Sequence, residues 1–277
     1  MRMHPIVKWA GGKHQLLEKI KELMPREYAN YYEPFVGGGA LLFELAPKIA
    51  TINDVNLELL AIYNCMKDDE LYKLMLKELD KHEENHNEEY YYEVRSWDRD
   101  NRFELEPLWK RAARAIYLNK ACFNGLYRVN AKGYFNVPSA KKEKVNTYDL
   151  DNMESIHNYF KNDNITILSG DFVEATRTAK EGDFVYFDPP YDNFEDKESF
   201  TAYSKFDFNK DDQVRLANCF KDLANRGVKC MLSNHNTKFI NELYKDFNIH
   251  IVNAKRMINA NASGRGNVEE VIITNYE

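Results

Sequence analysis

Short apolar runs that end in turn residues are the main pattern in this chain, and the sharpest covers residues 184–188, Phe-Val-Tyr-Phe-Asp. Pro189 and Pro190 follow directly. A continuous apolar run of this length, bounded by turn residues, predicts a strand buried in a parallel sheet. Because prolines cannot donate to a sheet ladder, we expect the chain to leave the sheet at Asp188.

The rest of the pattern predicts an α/β fold, because strand-like and helix-like segments alternate. Strand patterns occur at residues 31–34, 50–52, 165–168 and 228–232, and helical spacing occurs at residues 12–24, 40–46, 57–82, 108–122 and 211–226. Two final runs, residues 249–254 and 270–274, predict a terminal antiparallel hairpin around a loop that contains Arg256 and Arg265. We expect neither a membrane span nor a signal peptide, since no apolar run is long enough for the first and the amino end lacks an apolar core for the second.

The bend after residue 187 combines groups that suit a flat, amino-bearing ligand. The Asp188 carboxylate and the Pro189 carbonyl are both acceptors, and Tyr191 offers an aromatic face. In open α/β sheets ligands bind at the carboxyl ends of strands. The alternative is an ordinary turn with a surface acid.

A second candidate site lies where a predicted strand passes through a glycine turn into a helix. Phe35, Gly37 and Gly39 occupy this turn, an arrangement typical of nucleotide binding. Asp54 ends the next strand, where a carboxylate usually binds a ribose diol, although a helix cap is the alternative. Upstream, Lys13 follows two glycines at the start of a helix, where an anion is favoured, but no P-loop motif is present.

Charge is distributed unevenly along the chain. The formal net charge is −6, yet residues 90–145 contain twelve Lys or Arg against six Asp or Glu, so this segment carries +6 and the remainder −12. A basic segment in an acidic protein indicates a local polyanion site, with a solvated charged face as the alternative. The four cysteines form no C-x-x-C pair, which favours core thiols in a reduced, cytoplasmic setting.

Within the basic segment, residues 126–129 and 134–137 flank a Lys132-Gly133 turn and predict a β-hairpin. A two-stranded ribbon fits the DNA major groove, where an arginine such as Arg128 can pair with guanine. A packed hairpin with solvent-facing cations is the alternative.

His82 and His86 match the zinc-hydrolase pattern H-E-x-x-H. That motif needs a helix with one face buried, whereas the neighbouring residues are mostly charged or amide side chains. We therefore expect a solvated stretch and no metal site.

In order, KWAGGK, EPFVGGG, IND, GDF, DPPY and EVIITNY resemble the motifs of DNA adenine-N6 methyltransferases of the Dam type, and FNGLYRVN with FNVP is the most specific part. The resemblance covers nearly the whole chain and implies the α class of amino methyltransferases. It implies a Rossmann-like methyltransferase sheet with helices on both faces. Residues 1–66 and 146–277 would form the catalytic domain, and residues 67–145 a small, mostly helical DNA target-recognition insertion with a β-hairpin.

The resemblance also implies roles for individual residues. The implied catalytic residues are Asp188, Pro189, Pro190 and Tyr191; the implied S-adenosyl-L-methionine contacts are Trp9, Lys13, Phe35, Gly37, Gly39, Asp54, Asp171, Phe172 and Asp188; the implied DNA contacts are Phe123, Asn124, Leu126, Arg128 and Pro138. Asp54 would hold the ribose and Asp171 the adenine ring of the cofactor.

The implied reaction is methylation of adenine N6 in duplex DNA, within GATC, by base flipping and without a metal. One departure bears on the target, because Ser139-Ala140-Lys141-Lys142 follows FNVP where the family usually has a glycine and an arginine. Cytosine-N4 or RNA adenine-N6 methylation, and an inactive DNA-binding protein of the same fold, are the alternatives. The sequence does not decide whether a cognate restriction endonuclease accompanies the protein.

Overall fold

The structure is a computed structural model, and it describes residues 3–9, 16–100, 102–193, 208–255 and 267–277. The predicted cofactor contact Lys13 and the two arginines of the terminal loop, Arg256 and Arg265, lie outside these residues.

A seven-stranded sheet in the order β3-β2-β1-β4-β5-β7-β6 forms the centre of the described structure. The strands are β1 Tyr31–Glu33, β2 Ala50–Asp54, β3 Ile165–Ser169, β4 Phe184–Phe187, β5 Lys229–His235, β6 Asn248–Lys255 and β7 Asn267–Thr274. The first five strands of that order are parallel, whereas β7 runs antiparallel to both β5 and β6. The predicted sheet and terminal hairpin are therefore confirmed, and the apolar run at residues 184–187 is the central strand.

Helices flank the sheet and connect its strands. They are α1 Leu17–Leu23, α2 Ala40–Leu45, α3 Leu57–Lys67, α4 Asp69–Glu84, α5 Glu88–Ser96, α6 Leu108–Ala121, α7 Leu150–Phe160, α8 Phe172–Ala175, α9 Lys210–Asn225 and α10 Lys238–Leu243. Helices α5, α7, α8 and α10 were not predicted. Each begins at an N-cap whose side chain accepts a backbone N–H bond: Asn87 for α5, Asp149 for α7, Asp171 for α8 and Thr237 for α10.

Alternate residues of the strands pack into two separate buried clusters, one on each face of the sheet. Tyr31 and Tyr186 belong to the first cluster together with side chains of α3 and α6. Tyr32 and Phe187 belong to the second, together with side chains of α9. Because side chains alternate along a strand, this division places helices on both faces, as predicted.

The segment at residues 67–145 shares the first cluster. Ala112, Ile116 and Tyr117 of α6 are fully buried in the same cluster as Tyr31 of β1. This segment therefore packs directly on the helices that cover the sheet.

The predicted recognition hairpin is an antiparallel turn of the chain with little strand structure. Its one isolated bridge joins Val129 to Phe135. The outer backbone groups of Phe135 bind side chains instead of another strand, since its N–H donates to Asp98 and its carbonyl accepts from Arg99. We call residues 126–138 the ribbon.

Around the H-E-x-x-H motif, Lys81, Glu84 and Asn85 are exposed as expected, but His82 itself is fully buried. Its Nδ1 lies 2.8 Å from the Tyr90 hydroxyl, and its ring stacks on Tyr117 at 4.7 Å. Burial lowers the pKa of His82 to about 4. His86 binds the Tyr117 hydroxyl and the Lys142 carbonyl. Both histidines therefore join α4 to its neighbours.

Several cations of the basic segment also have internal partners. Arg114 is buried and forms an ion pair with Asp98 at 3.0 Å, and Arg111 pairs with Glu58 at 2.6 Å. Arg95 donates to the Val137 carbonyl. Part of the predicted excess charge thus joins α5, α6 and the ribbon, and links α6 to α3.

All four cysteines are free thiols, and three of them are buried, as the sequence predicted: Cys65, Cys122 and Cys230, with Cys219 half-buried. No helix in the described ranges is long and apolar enough to cross a membrane.

Candidate active site

The parallel strands end at one edge of the sheet, and polar side chains gather there. Asp188 follows β4 directly, while Glu33, Asp54 and Ser233 lie at or near the ends of β1, β2 and β5. Since β1 pairs with β4 and β4 with β5, Glu33, Asp188 and Ser233 come from adjacent strands. This edge is where ligands bind in open α/β sheets.

The Asp188 carboxylate is half-buried and held from β5. The Ser233 hydroxyl donates to Asp188 Oδ1 at 3.0 Å, and the Tyr186 hydroxyl lies 3.0 Å from Ser233 Oγ. Ser233 comes directly after the apolar run at residues 228–232, and no sequence motif indicated a role for it. A hydroxyl residue after an apolar run was the available signal.

The bend after Asp188 is also held at its far end. Gln213 of α9 donates to the Pro190 carbonyl at 2.9 Å, and Asn234 donates to Gln213 at 3.1 Å. Asn234 Oδ1 in turn accepts the backbone N–H of Asp192 at 2.9 Å. No residue in the described part of the chain donates to the Pro189 carbonyl, and neither Gln213 nor Asn234 was predicted.

Tyr191, the predicted stacking residue, is half-buried at the rim of this bend. Its hydroxyl donates to Glu270 of β7 at 3.4 Å, and its ring meets His235 edge-on with centroids 4.9 Å apart. These contacts orient the tyrosine ring relative to β5 and β7.

Asp54 joins the glycine turn to the start of α3. Its Oδ2 accepts the Gly37 N–H at 3.0 Å, and its Oδ1 accepts the Asn56 N–H at 2.9 Å. Burial raises the pKa of the Asp54 carboxyl, although these backbone donors oppose the shift. The cap of α3 is Asn56, whose side chain accepts the N–H groups of Glu58 and Leu59. The alternative of Asp54 as the helix cap was therefore wrong.

The glycine turn needs residues without side chains. Gly37 has φ +48° and Gly39 has φ +74°. A Cβ at Gly39 would lie 2.8 Å from the ring of Phe43, and one at Gly37 would lie 3.0 Å from Trp9. Glycine at these positions allows both the turn and the close approach of Trp9.

Three aromatic rings pack together beside the glycine turn. The ring centroids of Phe35 and Phe172 are 5.4 Å apart, and Phe208 lies 5.7 Å from Phe35. Asp171 is exposed at the same place, where it caps α8 and pairs with Arg215 at 2.7 Å. The predicted cofactor residues Phe35, Asp171 and Phe172 are therefore neighbours.

Trp9 connects the glycine turn to the ribbon. Its ring packs on Gly37 and stacks on Tyr127 with centroids 4.6 Å apart. Next to it, the Lys8 backbone is held by Asn119 of α6 through two bonds of 2.8 Å. Lys8 and Trp9 therefore lie between the two predicted binding regions.

The predicted DNA contacts lie together on and beside the ribbon. Phe123 is 53% exposed, although it is a large apolar side chain, and its N–H donates to the Pro138 carbonyl at 2.9 Å. Asn124 has φ +57°, and Arg128 is exposed with its Nε donating to Asn136 at 2.7 Å. Leu126 differs from the others because it packs against the first buried cluster.

Glu33 is a buried carboxyl that the sequence analysis did not single out. It is 3% exposed and accepts the Tyr31 hydroxyl at 2.8 Å. Burial, with a smaller contribution from the charge of Asp188, raises the pKa of Glu33 to about 8. Within the described residues, no group of three or more His, Cys, Asp or Glu side chains is arranged to hold a metal.

The sheet, the glycine turn and the DPPY bend define a methyltransferase of the Rossmann-like class. The family model for "D12 class N6 adenine-specific DNA methyltransferase" matches residues 9–258. The chain belongs to this family and is an adenine-specific DNA methyltransferase.

Three relatives match over nearly their whole length. The chain is 47% identical to the type II methyltransferase M1.LlaDCHI of Lactococcus lactis, over 100% of this chain and 96% of that protein. It is 43% identical to the type II methyltransferase M.MjaIII of Methanocaldococcus jannaschii, with both chains fully covered. It is 32% identical to the DNA adenine methylase of Escherichia coli K12, over 96% and 93% of the two chains.

Proposed function

We propose that this protein transfers a methyl group from S-adenosyl-L-methionine to N6 of adenine in duplex DNA, within GATC, after flipping the base out of the helix. The observation that carries the proposal is the acceptor pair on the bend after β4. The Asp188 carboxylate is held by Ser233, and the Pro189 carbonyl has no donor within the described residues. Two acceptors side by side match the two protons of an exocyclic amino group.

The residues present fit the cofactor. The half-buried Phe35 offers an aromatic surface for an adenine ring, the buried Phe172 packs against it, and Asp171 is exposed beside them. Asp54 lies at the end of β2, from which it would hold the ribose hydroxyls. When bound, S-adenosylmethionine supplies an activated methyl group with a neutral leaving group.

The bend would prepare the target nitrogen. The lone pair of adenine N6 is delocalised into the ring, which makes the nitrogen a poor nucleophile. Hydrogen bonds from N6 to Asp188 and to the Pro189 carbonyl would draw it towards a tetrahedral geometry, while Tyr191 stacks on the base. Holding N6 in line with the methyl group can lower the barrier by several kcal/mol.

The segment at residues 67–145 would bind the DNA. Flipping a base costs a few kcal/mol, and the exposed Phe123 and Asn124 are placed to fill the vacated space. Arg128 would pair with guanine, and Leu126 and Pro138 would contact a thymine methyl group.

Three lysines beside the ribbon support DNA binding at this face. The backbone of Lys8 is tied to α6, Lys142 donates to the carbonyl of Lys120, and the charges of Lys8 and Lys142 both act on Lys120. Burial, together with these two charges, lowers the pKa of Lys120. A phosphate placed here would relieve the repulsion among the three cations.

The names of the relatives suggest the biological setting. Two of those described above are type II methyltransferases, and we propose that this protein likewise protects DNA against a cognate restriction endonuclease.

The test is methyl transfer to defined duplexes by the wild-type protein and by Asp188→Ala. Loss of a preorganised hydrogen-bonding group should lower the methylation rate by at least about 100-fold. Asp163→Ala, a change at an exposed acid in the turn before β3, is the matched control and should methylate at the wild-type rate. Nucleoside analysis should show N6-methyladenine.

Each alternative has its own arm in this experiment. N4-methylcytosine as the product, or methylation of an RNA hairpin in preference to the duplex, would contradict the proposed substrate. An unchanged rate in Asp188→Ala would contradict the proposed role of the bend.

A further inference from the structure

Polar side chains on one face of the sheet form a series of hydrogen bonds that ends at Asp188. In the parallel pairing of β4 with β5, Tyr186 lies opposite Met231 and Phe187 opposite Leu232, so Asp188 continues the register towards Ser233. Because side chains alternate along strands, Tyr186, Asp188 and Ser233 share one face. Tyr186 and Ser233 are both buried, with exposed fractions of 1% and 0%.

The direction of each hydrogen bond in this series follows from the number of protons that each hydroxyl group can donate. A serine hydroxyl has one proton to donate. Ser233 donates it to Asp188 Oδ1 at 3.0 Å, so the Tyr186 hydroxyl, 3.0 Å from Ser233 Oγ, must be the donor in that pair. The sequence of donations therefore runs from Tyr186 to Ser233 to Asp188.

A second carboxyl near Asp188 makes this arrangement important. Glu33 lies on the adjacent strand β1, close enough for the charge of Asp188 to help raise the pKa of its carboxyl. Glu33 has its own tyrosine donor, the Tyr31 hydroxyl at 2.8 Å. Each carboxyl thus accepts from a hydroxyl donor of its own, Glu33 from Tyr31 and Asp188 from Ser233.

We propose that Ser233, with Tyr186 behind it, is a positioning residue for methyl transfer: its hydroxyl sets the plane of the Asp188 carboxylate and keeps that group an acceptor for the target amine. This inference deepens the proposed function and rests on it. The bonds from Gln213 and Asn234 hold the other end of the bend, so loss of the Ser233 hydroxyl leaves Pro190 and Asp192 anchored.

The experiment compares Ser233→Ala with the wild-type protein in single-turnover methylation of a duplex. A hydrogen bond to a charged group is lost, so the rate should fall by about 10-fold or more. The dissociation constants for DNA and S-adenosylmethionine should stay within about twofold, because Ser233 is fully buried and contacts the Asp188 carboxylate from behind. A merely structural serine would change binding and thermal stability along with the rate.

Two further variants keep the test decisive if Ser233→Ala folds poorly. Ser233→Cys has similar size and a weaker donor, so its rate should fall between the rates of the alanine variant and the wild type. Tyr186→Phe should slow methylation by a few fold. In the double variant Tyr186→Phe/Ser233→Ala the rate should equal that of Ser233→Ala alone, since both changes interrupt the same series of hydrogen bonds.

The matched control for the tyrosine is Tyr244→Phe. Tyr244 is fully buried in the second cluster, and its hydroxyl has no hydrogen-bond partner among the described residues. This variant should methylate at the wild-type rate.

The possible failures are distinguishable. A wild-type protein that makes no N6-methyladenine would refute both proposals. If the wild-type protein is active and its Ser233→Ala and Tyr186→Phe variants methylate within about twofold of the wild-type rate, this inference alone is overturned. A loss that lies entirely in DNA or cofactor affinity would overturn it as well.

Discussion

At the scale of single residues, the two prolines and their neighbours shape the candidate site. Pro190 has no N–H, so the chain cannot continue the ladder of β4, and the bend instead relies on side chains from α9 and β5. Asp188 lies at the point where the buried strand meets solvent, and it is half-buried there. A carboxylate in this position remains accessible while its orientation is fixed from behind.

Arg128 allows a residue-scale prediction about target choice. Arg128→Ala should relax discrimination at one guanine of the target by about 1–3 kcal/mol, because an arginine pairs with guanine through two hydrogen bonds. Competition between duplexes that differ at a single base pair measures this. Lys132→Ala, at the exposed turn of the same ribbon, should weaken binding to all duplexes alike and reduce its salt dependence. Unaltered preference in Arg128→Ala would remove this residue from base recognition.

At the scale of elements, the start of α3 links helix capping to the glycine turn. The Asn56 side chain accepts two N–H groups of the first helical turn, while its own N–H donates to Asp54. Asp54 also accepts the Gly37 N–H, so the end of β2, the glycine turn and α3 form one hydrogen-bonded unit. The carboxylate that would hold a ribose is therefore fixed by backbone groups on two elements.

The cap gives a prediction for stability. Asn56→Ala should lower the free energy of unfolding by about 0.5–2 kcal/mol, because two buried N–H groups lose their acceptor. Asn64→Ala is the control within the same helix, where the side chain is exposed and alanine is the better helix former. Denaturant titrations of both variants measure the difference. Equal stability of the two would show that the cap contributes little.

At the scale of the whole molecule, an acidic protein presents a local basic face. Part of the charge at residues 90–145 is neutralised internally, as in the Arg114–Asp98 and Arg111–Glu58 pairs. The lysines near the ribbon, among them Lys8 and Lys142, remain at the surface. Because the overall charge is −6, DNA should be attracted only where these cations outweigh the surrounding acids.

The buried Glu33 gives a pH prediction for the whole fold. Its pKa is raised from 4.5 to about 8, so the folded state holds this proton more tightly than the unfolded chain. Its contribution to stability is complete below about pH 4.5 and is lost as the pH rises through about 8. Between pH 5 and pH 9 the free energy of unfolding should therefore fall less in Glu33→Gln than in the wild type. The difference between the two falls should be on the order of a few kcal/mol.

Denaturant titrations at several pH values test this. Tyr31→Phe serves as a comparison, because it removes the hydroxyl donor to Glu33 and keeps the carboxyl. Parallel pH profiles for the wild type and Glu33→Gln would contradict the assignment.

Local sequence patterns determined the order and type of most elements. The apolar run before Asp188, the glycine turn and the terminal hairpin could each be recognised from neighbouring residues, because strand burial, glycine turns and prolines act over short distances. The same local information predicted which side chains lie at the carboxyl ends of strands. It also predicted which residues form the ribbon, although the ribbon has only one bridge where two strands were expected.

The tertiary structure alone decided which groups surround those side chains. Ser233 and Gln213 reach the bend from 45 and 23 residues away along the chain. The burial of His82 and the internal use of Arg114 depend on α4, α5 and α6 packing together. Hydrogen-bond partners and desolvation are set by contacts between distant segments, and the periodicity of a single segment carries no record of them.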